Sequence, residues 1–94
     1  MDTLAQQVKA VAHSYVRPAL NGEMLPTFDD EHQSYAVFAV GDIAGKHYHH
    51  VVLHVRVVND KVIIEDHNTN ADLIADLVAG GIPPDKIEQR AKTS

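Results

Sequence analysis

The sequence predicts one α+β domain, in which an N-terminal helix precedes an antiparallel sheet of about four strands and a C-terminal helix with a short helical turn follows. Three observations support this prediction. Apolar residues recur with helical spacing near both ends of the chain, they occupy every odd position from 51 to 57, and Asn59-Asp60 marks a tight turn between two strand-like runs. Because 94 residues can bury only one hydrophobic core, residues 1–94 are predicted to be a single domain.

The first segment has the periodicity of an amphipathic helix. Thr3 and Gln6 have the spacing of a capping box, in which two side chains satisfy free N–H groups at a helix start. Pro18 ends the helix, because the residue before a proline disfavours helical geometry, and Asn21-Gly22 forms the turn beyond it. The apolar stripe of this helix consists of Leu4, Val8, Val11 and Tyr15.

The middle of the chain has the pattern of strands separated by polar or glycine-containing turns. Pro26 cannot donate a hydrogen bond to a neighbouring strand, so the first strand is predicted to lie at a sheet edge. The longest strand alternates as expected for a strand with one face on the core. The four predicted strands are Glu23–Phe28, Tyr35–Val40, His47–Val58 and Lys61–Asp66.

The two-residue turn at Asn59-Asp60 fixes the register of the hairpin around it. Position 58 then pairs with 61 and position 56 with 63, and His54 is predicted to lie opposite Glu65. The odd-numbered residues of the long strand point to the core. Three apolar residues are predicted to point to the opposite face: Val52, Val58 and Ile63.

The C-terminal region is predicted to hold a second, shorter helix. Asn70 caps it and Gly80-Gly81 ends it. Pro84 suits the first turn of a last helical piece at Asp85–Gln89, and the polar residues 90–94 are expected to fray. The apolar stripe of the second helix consists of Leu73, Ile74, Leu77 and Val78.

Composition excludes several classes of function. Without cysteine, the chain has no disulfide framework, thiolate metal site or cysteine nucleophile. No apolar run approaches the ~18 residues of a membrane span, and Met1-Asp2-Thr3 lacks the basic charge of a secretory signal, so we expect a cytoplasmic protein without membrane contact. The formal charge is −5, whereas DNA binding requires a basic surface, so we expect no direct binding to nucleic acid.

Six short motifs follow one another with a family-like order and spacing. The motifs are Phe28-Asp29-x-Glu31 leading to Tyr35, Val37 and Val40-Gly41; Val52-Leu53-His54-Val55; Lys61-Val62-Ile63-Ile64; Asp66 with Thr69; Ile74 to Pro83; and Asp85-Lys86-Ile87. Together, from about residue 23 to residue 87, they resemble the XisI family, the controlling factors for excision of the fdxN DNA element.

The resemblance implies a small α+β protein that works beside a nuclease-like partner, XisH, in a programmed DNA rearrangement whose recombinase is a separate protein. It carries no catalytic residue over to this chain, and we expect neither enzymatic activity nor a cofactor. Asp42 and Ile63 stand where many relatives have tryptophan. Relatives also continue past the position of Ile87 with a tail rich in Gly, Pro and Arg. If that tail contacts the partner in relatives, this chain lacks part of the interface or uses another.

Histidines and carboxylates supply the candidates for metal binding or catalysis. His47 and His49 lie two positions apart, about 7 Å on one strand face, close enough to share a metal ion, but a solvated strand end is favoured because no third ligand is indicated. His54 opposite Glu65 would resemble a base with an orienting carboxylate, yet no nucleophile motif accompanies it. The acidic run Asp29–Glu31 is interpreted as a solvated turn rather than a Mg²⁺ or Ca²⁺ site.

These observations favour a protein-binding domain. The sheet carries more apolar area than two short helices can cover, so we expect its outward face to contact another protein, and we favour a homodimer through this face. The predicted function is that of a non-enzymatic accessory factor for DNA-element excision that acts on an XisH-like partner. The alternatives are an antitoxin-like inhibitor of that partner and a ligand or metal sensor that uses the histidine-rich strand. The predicted interaction surface consists of Val52, His54, Arg56, Val58, Ile63 and Glu65.

Overall fold

The computed structural model describes residues 3–18, 21–69 and 71–90, and it has the predicted α+β architecture. Its elements are α1 (Thr3–His13), β1 (Gly22–Asp29), β2 (Ser34–Ile43), β3 (Lys46–Val58), β4 (Lys61–His67), α2 (Leu73–Ala79), a 3₁₀ turn (Pro84–Lys86) and β5 (Ile87–Gln89). The five strands form one sheet in the order β1-β2-β3-β4-β5. Neighbouring strands are antiparallel except β4 and β5, which are parallel. The predicted edge position of β1 is confirmed.

Pairs of residues with positive φ close the two central hairpins. Ala44 (φ 52°) and Gly45 (φ 78°) join β2 to β3, and Asn59 (φ 51°) and Asp60 (φ 63°) join β3 to β4. Two consecutive residues with positive φ are typical of the type I′ turn, whose twist matches that of antiparallel strands. The predicted turn at 59–60 is therefore confirmed, and β2 continues beyond its predicted end to Ile43.

α1 packs on one face of the sheet through the predicted stripe, all of whose members are buried. The helix ends at His13, well before Pro18, and the Ser14 hydroxyl donates to the carbonyl of Val11 at 2.5 Å. A serine that bonds back to the preceding turn competes with helix continuation. Tyr15 lies just beyond this end and is buried in the same core.

α2 packs on the same face as α1, with only half of its predicted stripe buried. Leu73 and Leu77 are almost fully buried, whereas Ile74 and Val78 are each 39 % exposed. The helix spans only seven residues, so a single pair at i and i+4 faces the core. Within the described residues, neither helix has the length and apolar character needed to cross a membrane.

The start of α2 differs from the prediction. Its N-cap is Asp72, whose carboxylate accepts a hydrogen bond from the N–H of Ala75 at 3.0 Å. The predicted cap, Asn70, lies outside the described residues. Gly81, at φ 103°, follows the helix as the predicted glycine stop requires.

A β-bulge in β3 changes the face of one predicted surface residue. Val52 is the extra residue between the pairs Val37–Leu53 and Phe38–Val51. It belongs to the hydrophobic core and is 5 % exposed. The predictions that Val52 points outward and that Val51 points to the core are therefore wrong, because strict alternation fails at the bulge.

A second bulge, in β4, shifts the register of the valine-rich hairpin. The predicted pairing holds from the turn to the pair Val55–Ile64, and Glu65 is then an extra residue. His54 consequently pairs with Asp66. The prediction that His54 lies opposite Glu65 is wrong, because the turn fixes the register only as far as the next bulge.

The C-terminal segment predicted as helical over Asp85–Gln89 forms the 3₁₀ turn and then β5. α2 and the 3₁₀ turn supply the crossover that a parallel neighbour of β4 requires. The backbone N–H of Arg90 donates to the carbonyl of Ile64 at 2.9 Å, so the first residue of the predicted frayed tail is held by the sheet. The rest of that tail, residues 91–94, lies outside the described residues.

Candidate interaction surface

The candidate interaction surface is the side of the sheet opposite α1 and α2, here called the helix-free face. Directly paired residues on neighbouring strands share a face of a sheet, so the register assigns the side chains to it. The helix-free face comprises Glu23, Leu25, Thr27 and Asp29 of β1; Ser34, Ala36, Phe38, Val40 and Asp42 of β2; His47, His49, Val51, His54, Arg56 and Val58 of β3; Lys61, Ile63, Glu65 and Asp66 of β4; and Glu88 of β5.

Two of the predicted surface residues contribute little to this face. Val52 lies in the core, and Ile63, although on the helix-free face, is only 3 % exposed. Ile63 pairs with Arg56 on one side and Glu88 on the other, whose long side chains flank it. The remaining predicted residues are partly exposed on this face: His54, Arg56, Val58 and Glu65.

The apolar side chains that the helix-free face does expose lie nearer to β1 than predicted. Leu25 is 41 % exposed at the edge of the sheet. Phe38, its cross-strand partner, is half-buried, as are Val40 and Val51. The sequence does not indicate this area, because its alternation predicts outward apolar residues only in the valine-rich hairpin.

Two polar pairs replace the predicted contact between His54 and Glu65. Arg56 donates to Glu65 at 2.8 Å between Nη1 and Oε2, with both side chains partly exposed. The Ser34 hydroxyl lies 2.8 Å from Nε2 of His54. Glu65 therefore contacts a permanently charged partner, and the described side-chain contact of His54 is with a neutral hydroxyl.

Ser34, His54 and Asp66 combine the residue types of a serine hydrolase triad, but their geometry is that of a polar surface pair. Oδ1 of Asp66 accepts a hydrogen bond from the Asn68 amide at 3.0 Å. The surrounding strands use their backbone N–H groups in pairing, so no preformed pair of donors for an oxyanion is expected on an open sheet. The contacts that these side chains make are hydrogen bonds on the surface of the sheet.

A groove of about 330 Å³ crosses the helix-free face from β1 to β4. Its floor is apolar and is made by Ala36, Phe38 and Val51. Its rim is polar, with carboxylates from the first and fourth strands. The rim residues are Thr27, Asp29, Ser34, His54 and Asp66.

The Asp29 carboxylate is held by the turn that follows β1. Its Oδ1 accepts the backbone N–H groups of Glu31 (3.1 Å) and His32 (3.2 Å), and its Oδ2 lies 2.7 Å from Nδ1 of His32. Hydrogen bonds from the His32 backbone and side chain lower the pKa of Asp29, so the group is ionised at neutral pH. The predicted solvated turn at 29–31 therefore also positions a charge at the groove.

The histidine-rich arm formed by the ends of β2 and β3 shows aromatic and acidic contacts. Nδ1 of His47 lies 3.3 Å from Oδ1 of Asp42, and the ring of His49 stacks on Phe38 with centroids 5.7 Å apart. Across the described ranges, no three His, Asp or Glu side chains are grouped so that they could hold a metal ion.

A second cavity, of about 550 Å³, lies on the helix side between the end of α1, α2 and the sheet. Inside it, the Tyr15 hydroxyl donates a hydrogen bond to the Asp76 carboxylate. Burial and this hydrogen bond raise the pKa of Tyr15, so the phenol remains a donor throughout the neutral range. The pair joins the two helices.

Comparison with known proteins finds a matching family model and solved structures of similar fold. A family model described as XisI protein matches residues 1–89. The fold is similar to that of the fdxN element excision controlling factor XisI from Anabaena variabilis ATCC 29413, with TM-score 0.70 and 20 % identity over 88 % of this chain and 84 % of that one. It is also similar to a XisI-like protein from the same organism, with TM-score 0.75 and 19 % identity over 96 % of this chain and 82 % of that one. No curated protein matches the chain.

Proposed function

The chain belongs to the XisI family, and from this membership we propose that it is a non-enzymatic controlling factor for the excision of a DNA element. A protein of similar fold bears the name of excision controlling factor. The proposed mode of action is contact with a nuclease-like partner of the XisH type, which changes the action of that partner on DNA. We place this activity in the cytoplasm, where such a partner and its DNA would meet.

The observation that carries the proposal is the sheet face without helical cover. Both helices pack on one side, so no helix in the described part of the chain covers the apolar residues of the other side. Leu25 is 41 % exposed there, and Phe38 and Val51 remain half-buried. Apolar area of this kind, bordered by polar residues, is typical of a surface that binds another protein.

The charge of the helix-free face supports a protein partner over DNA. Arg56 is occupied by Glu65, and the described contacts of Asp29 and Asp66 include no lysine or arginine. The whole chain carries a formal charge of −5. Phosphate backbones repel such a surface, whereas a nuclease, which must itself bind DNA, offers basic groups.

The same acidic face supports one alternative, an antitoxin-like inhibitor that covers the DNA-binding surface of the partner. The two functions require the same contact and differ in its effect. An accessory factor raises the activity of the partner on DNA, whereas an inhibitor abolishes it.

A reconstitution with purified proteins tests the proposal. The chain and its XisH-type neighbour are mixed, the complex is detected by size-exclusion chromatography, and cleavage of a DNA substrate is measured with and without the chain. We expect a stable complex and altered cleavage, upward for an accessory factor and downward for an inhibitor. The chain alone, incubated with the same DNA, serves as the control and should not bind. Separate elution together with unchanged cleavage would contradict both functions.

A further inference from the structure

We infer that the groove across β1 to β4 binds an extended segment of the protein partner in which one apolar side chain lies between two basic ones. This inference rests on the proposed function, because it names the chemistry that the partner would present to the helix-free face. The apolar side chain enters the groove, and the two basic side chains pair with Asp29 and Asp66.

The floor of the groove suits an aliphatic side chain. Ala36 is buried beneath it, and Phe38 and Val51 form its apolar sides, both still half-buried rather than fully covered. Phe38 is fixed by stacking on His49, with ring planes 13° apart. A rigid apolar floor favours binding, since little side-chain freedom remains to be lost on contact.

The rim supplies one carboxylate at each side of this floor. Asp29 belongs to the first strand and Asp66 to the fourth, three strand spacings away and offset by two residues along the strands, or about 16 Å apart at ~4.8 Å per spacing and ~3.3 Å per residue. The rim contains neither lysine nor arginine among its described residues. The pKa of Asp29 is lowered by its hydrogen bonds, which keeps that charge in place at neutral pH.

An extended chain with long basic side chains can span the two carboxylates. Residues i, i+2 and i+4 of an extended segment project to one side, and i and i+4 lie about 13 Å apart at ~3.3 Å per residue. Because arginine and lysine side chains are long enough to cover the remaining ~3 Å, basic residues at i and i+4 reach Asp29 and Asp66 while residue i+2 lies over Ala36. The spacing selects the basic–apolar–basic pattern rather than a single cation.

Other occupants fit the groove less well. A second copy of the helix-free face would bring the same carboxylates against one another, and a nucleic acid would bring phosphates against them. Each meets like charge at both sides of the groove.

A blocked pentapeptide with arginine at both ends, leucine in the middle and serine between them is the probe. Titrated into the isotopically labelled chain, it is expected to shift the backbone resonances of Ala36, Phe38 and Val51. Replacing both arginines by uncharged citrulline should weaken binding at least about tenfold, the effect expected for losing charge-assisted hydrogen bonds. Equal binding of the citrulline peptide, or shifts confined to other parts of the chain, would overturn the inference.

Matched variants test the two carboxylates. Asp29→Asn combined with Asp66→Asn removes both rim charges, and the asparagine oxygen at 29 can still accept the turn N–H groups. Glu31→Gln combined with Asp85→Asn removes the same amount of charge from exposed positions outside the groove. We expect the first pair to lose at least about tenfold in peptide affinity and the second to bind like the unchanged chain. Circular dichroism identifies a variant that fails to fold, and the single variant Asp66→Asn then provides the comparison.

The same variants separate this inference from the proposed function. If the unchanged chain binds its partner and the Asp29/Asp66 pair binds equally tightly, the inference fails and the function stands. If the peptide binds in the groove but the chain neither binds nor affects the nuclease-like partner, the function fails and the groove chemistry stands.

Discussion

The Tyr15 hydroxyl links the end of α1 to α2, because it donates a hydrogen bond to the Asp76 carboxylate in a partly buried setting. Burial of the phenol, followed by the bond to Asp76, raises the pKa of Tyr15. Tyr15→Phe removes the hydroxyl donor and leaves the Asp76 carboxylate without this hydrogen bond. We expect the free energy of unfolding to fall by about 1–2 kcal/mol at neutral pH, as measured by urea denaturation.

The pH dependence of this effect has a definite sign. The folded state holds the Tyr15 proton more tightly than the unfolded state does, so the stabilisation is complete below the ordinary tyrosine pKa of about 10. It is lost as the pH rises above that value toward the raised pKa of the folded state. The difference in unfolding free energy between the unchanged chain and Tyr15→Phe should therefore shrink at alkaline pH. If the unfolding free energies of the two proteins changed in parallel with pH, the hydrogen bond from Tyr15 would not be the source of the stabilisation.

Residues at the rim of the groove show what the sequence could and could not indicate. His54 and Arg56 were predicted on the outward face, where they lie, because simple alternation reaches them from the turn at 59–60. Asp66 was not predicted beside His54, since its position depends on the bulge at Glu65. Asp29 was recognised as part of a turn, but its place beside the groove depends on pairing between β1 and β2.

At the scale of elements, patterns that repeat along the chain were predictable and those set by tertiary pairing were not. α1, the turn at 59–60 and the edge position of β1 each follow from several residues or from a conformationally restricted one. The bulge at Val52 could not be recognised in the sequence, because Val51, Val52 and Leu53 are consecutive apolar residues. Alternation therefore does not show which of them face the core. β5 has only three residues, too few for an alternation, and exists because β4 offers a free edge.

Pro26 protects the free edge of β1. Pro26 is paired with Val37 and has no N–H to donate to β2, so Pro26 and Val37 form a non-hydrogen-bonded pair. The proline nitrogen therefore faces the outer edge of the sheet. Pro26→Thr would add a donor in the middle of an exposed eight-residue strand. We expect this variant to self-associate with increasing concentration, as measured by light scattering, because an unprotected edge pairs with other strands.

A neighbouring substitution provides the control for the edge. Thr27 alternates with Pro26, so its N–H points toward β2, and Thr27→Ala leaves the outer edge unchanged. Light scattering from this variant should match that of the unchanged chain. Monodisperse Pro26→Thr at the highest concentration reached would show that proline does not protect the edge.

The whole molecule is two-sided, with helices on one side of the sheet and an acidic face on the other. Fully protonated, the seven histidines would reverse the formal charge of −5, and His47, His49 and His50 all lie on the arm formed by β2 and β3. We therefore expect any association through the helix-free face to depend on charge as well as on apolar area, and ionic strength should distinguish its possible occupants.

The predicted homodimer through the helix-free face stays a prediction, and salt separates it from binding of a basic partner. Two copies of an acidic face repel, so added salt should promote the dimer, whereas it should weaken attraction between this face and a basic segment. Leu25→Ser removes exposed apolar area from the face and should shift the dimer toward monomer in sedimentation velocity at high salt. Ile74→Ser is the matched control, because Ile74 is exposed to nearly the same extent (39 % against 41 %) but lies on α2. A single monomeric species at every salt concentration would exclude the homodimer while leaving the groove available to a partner, since the two contacts respond to salt in opposite directions.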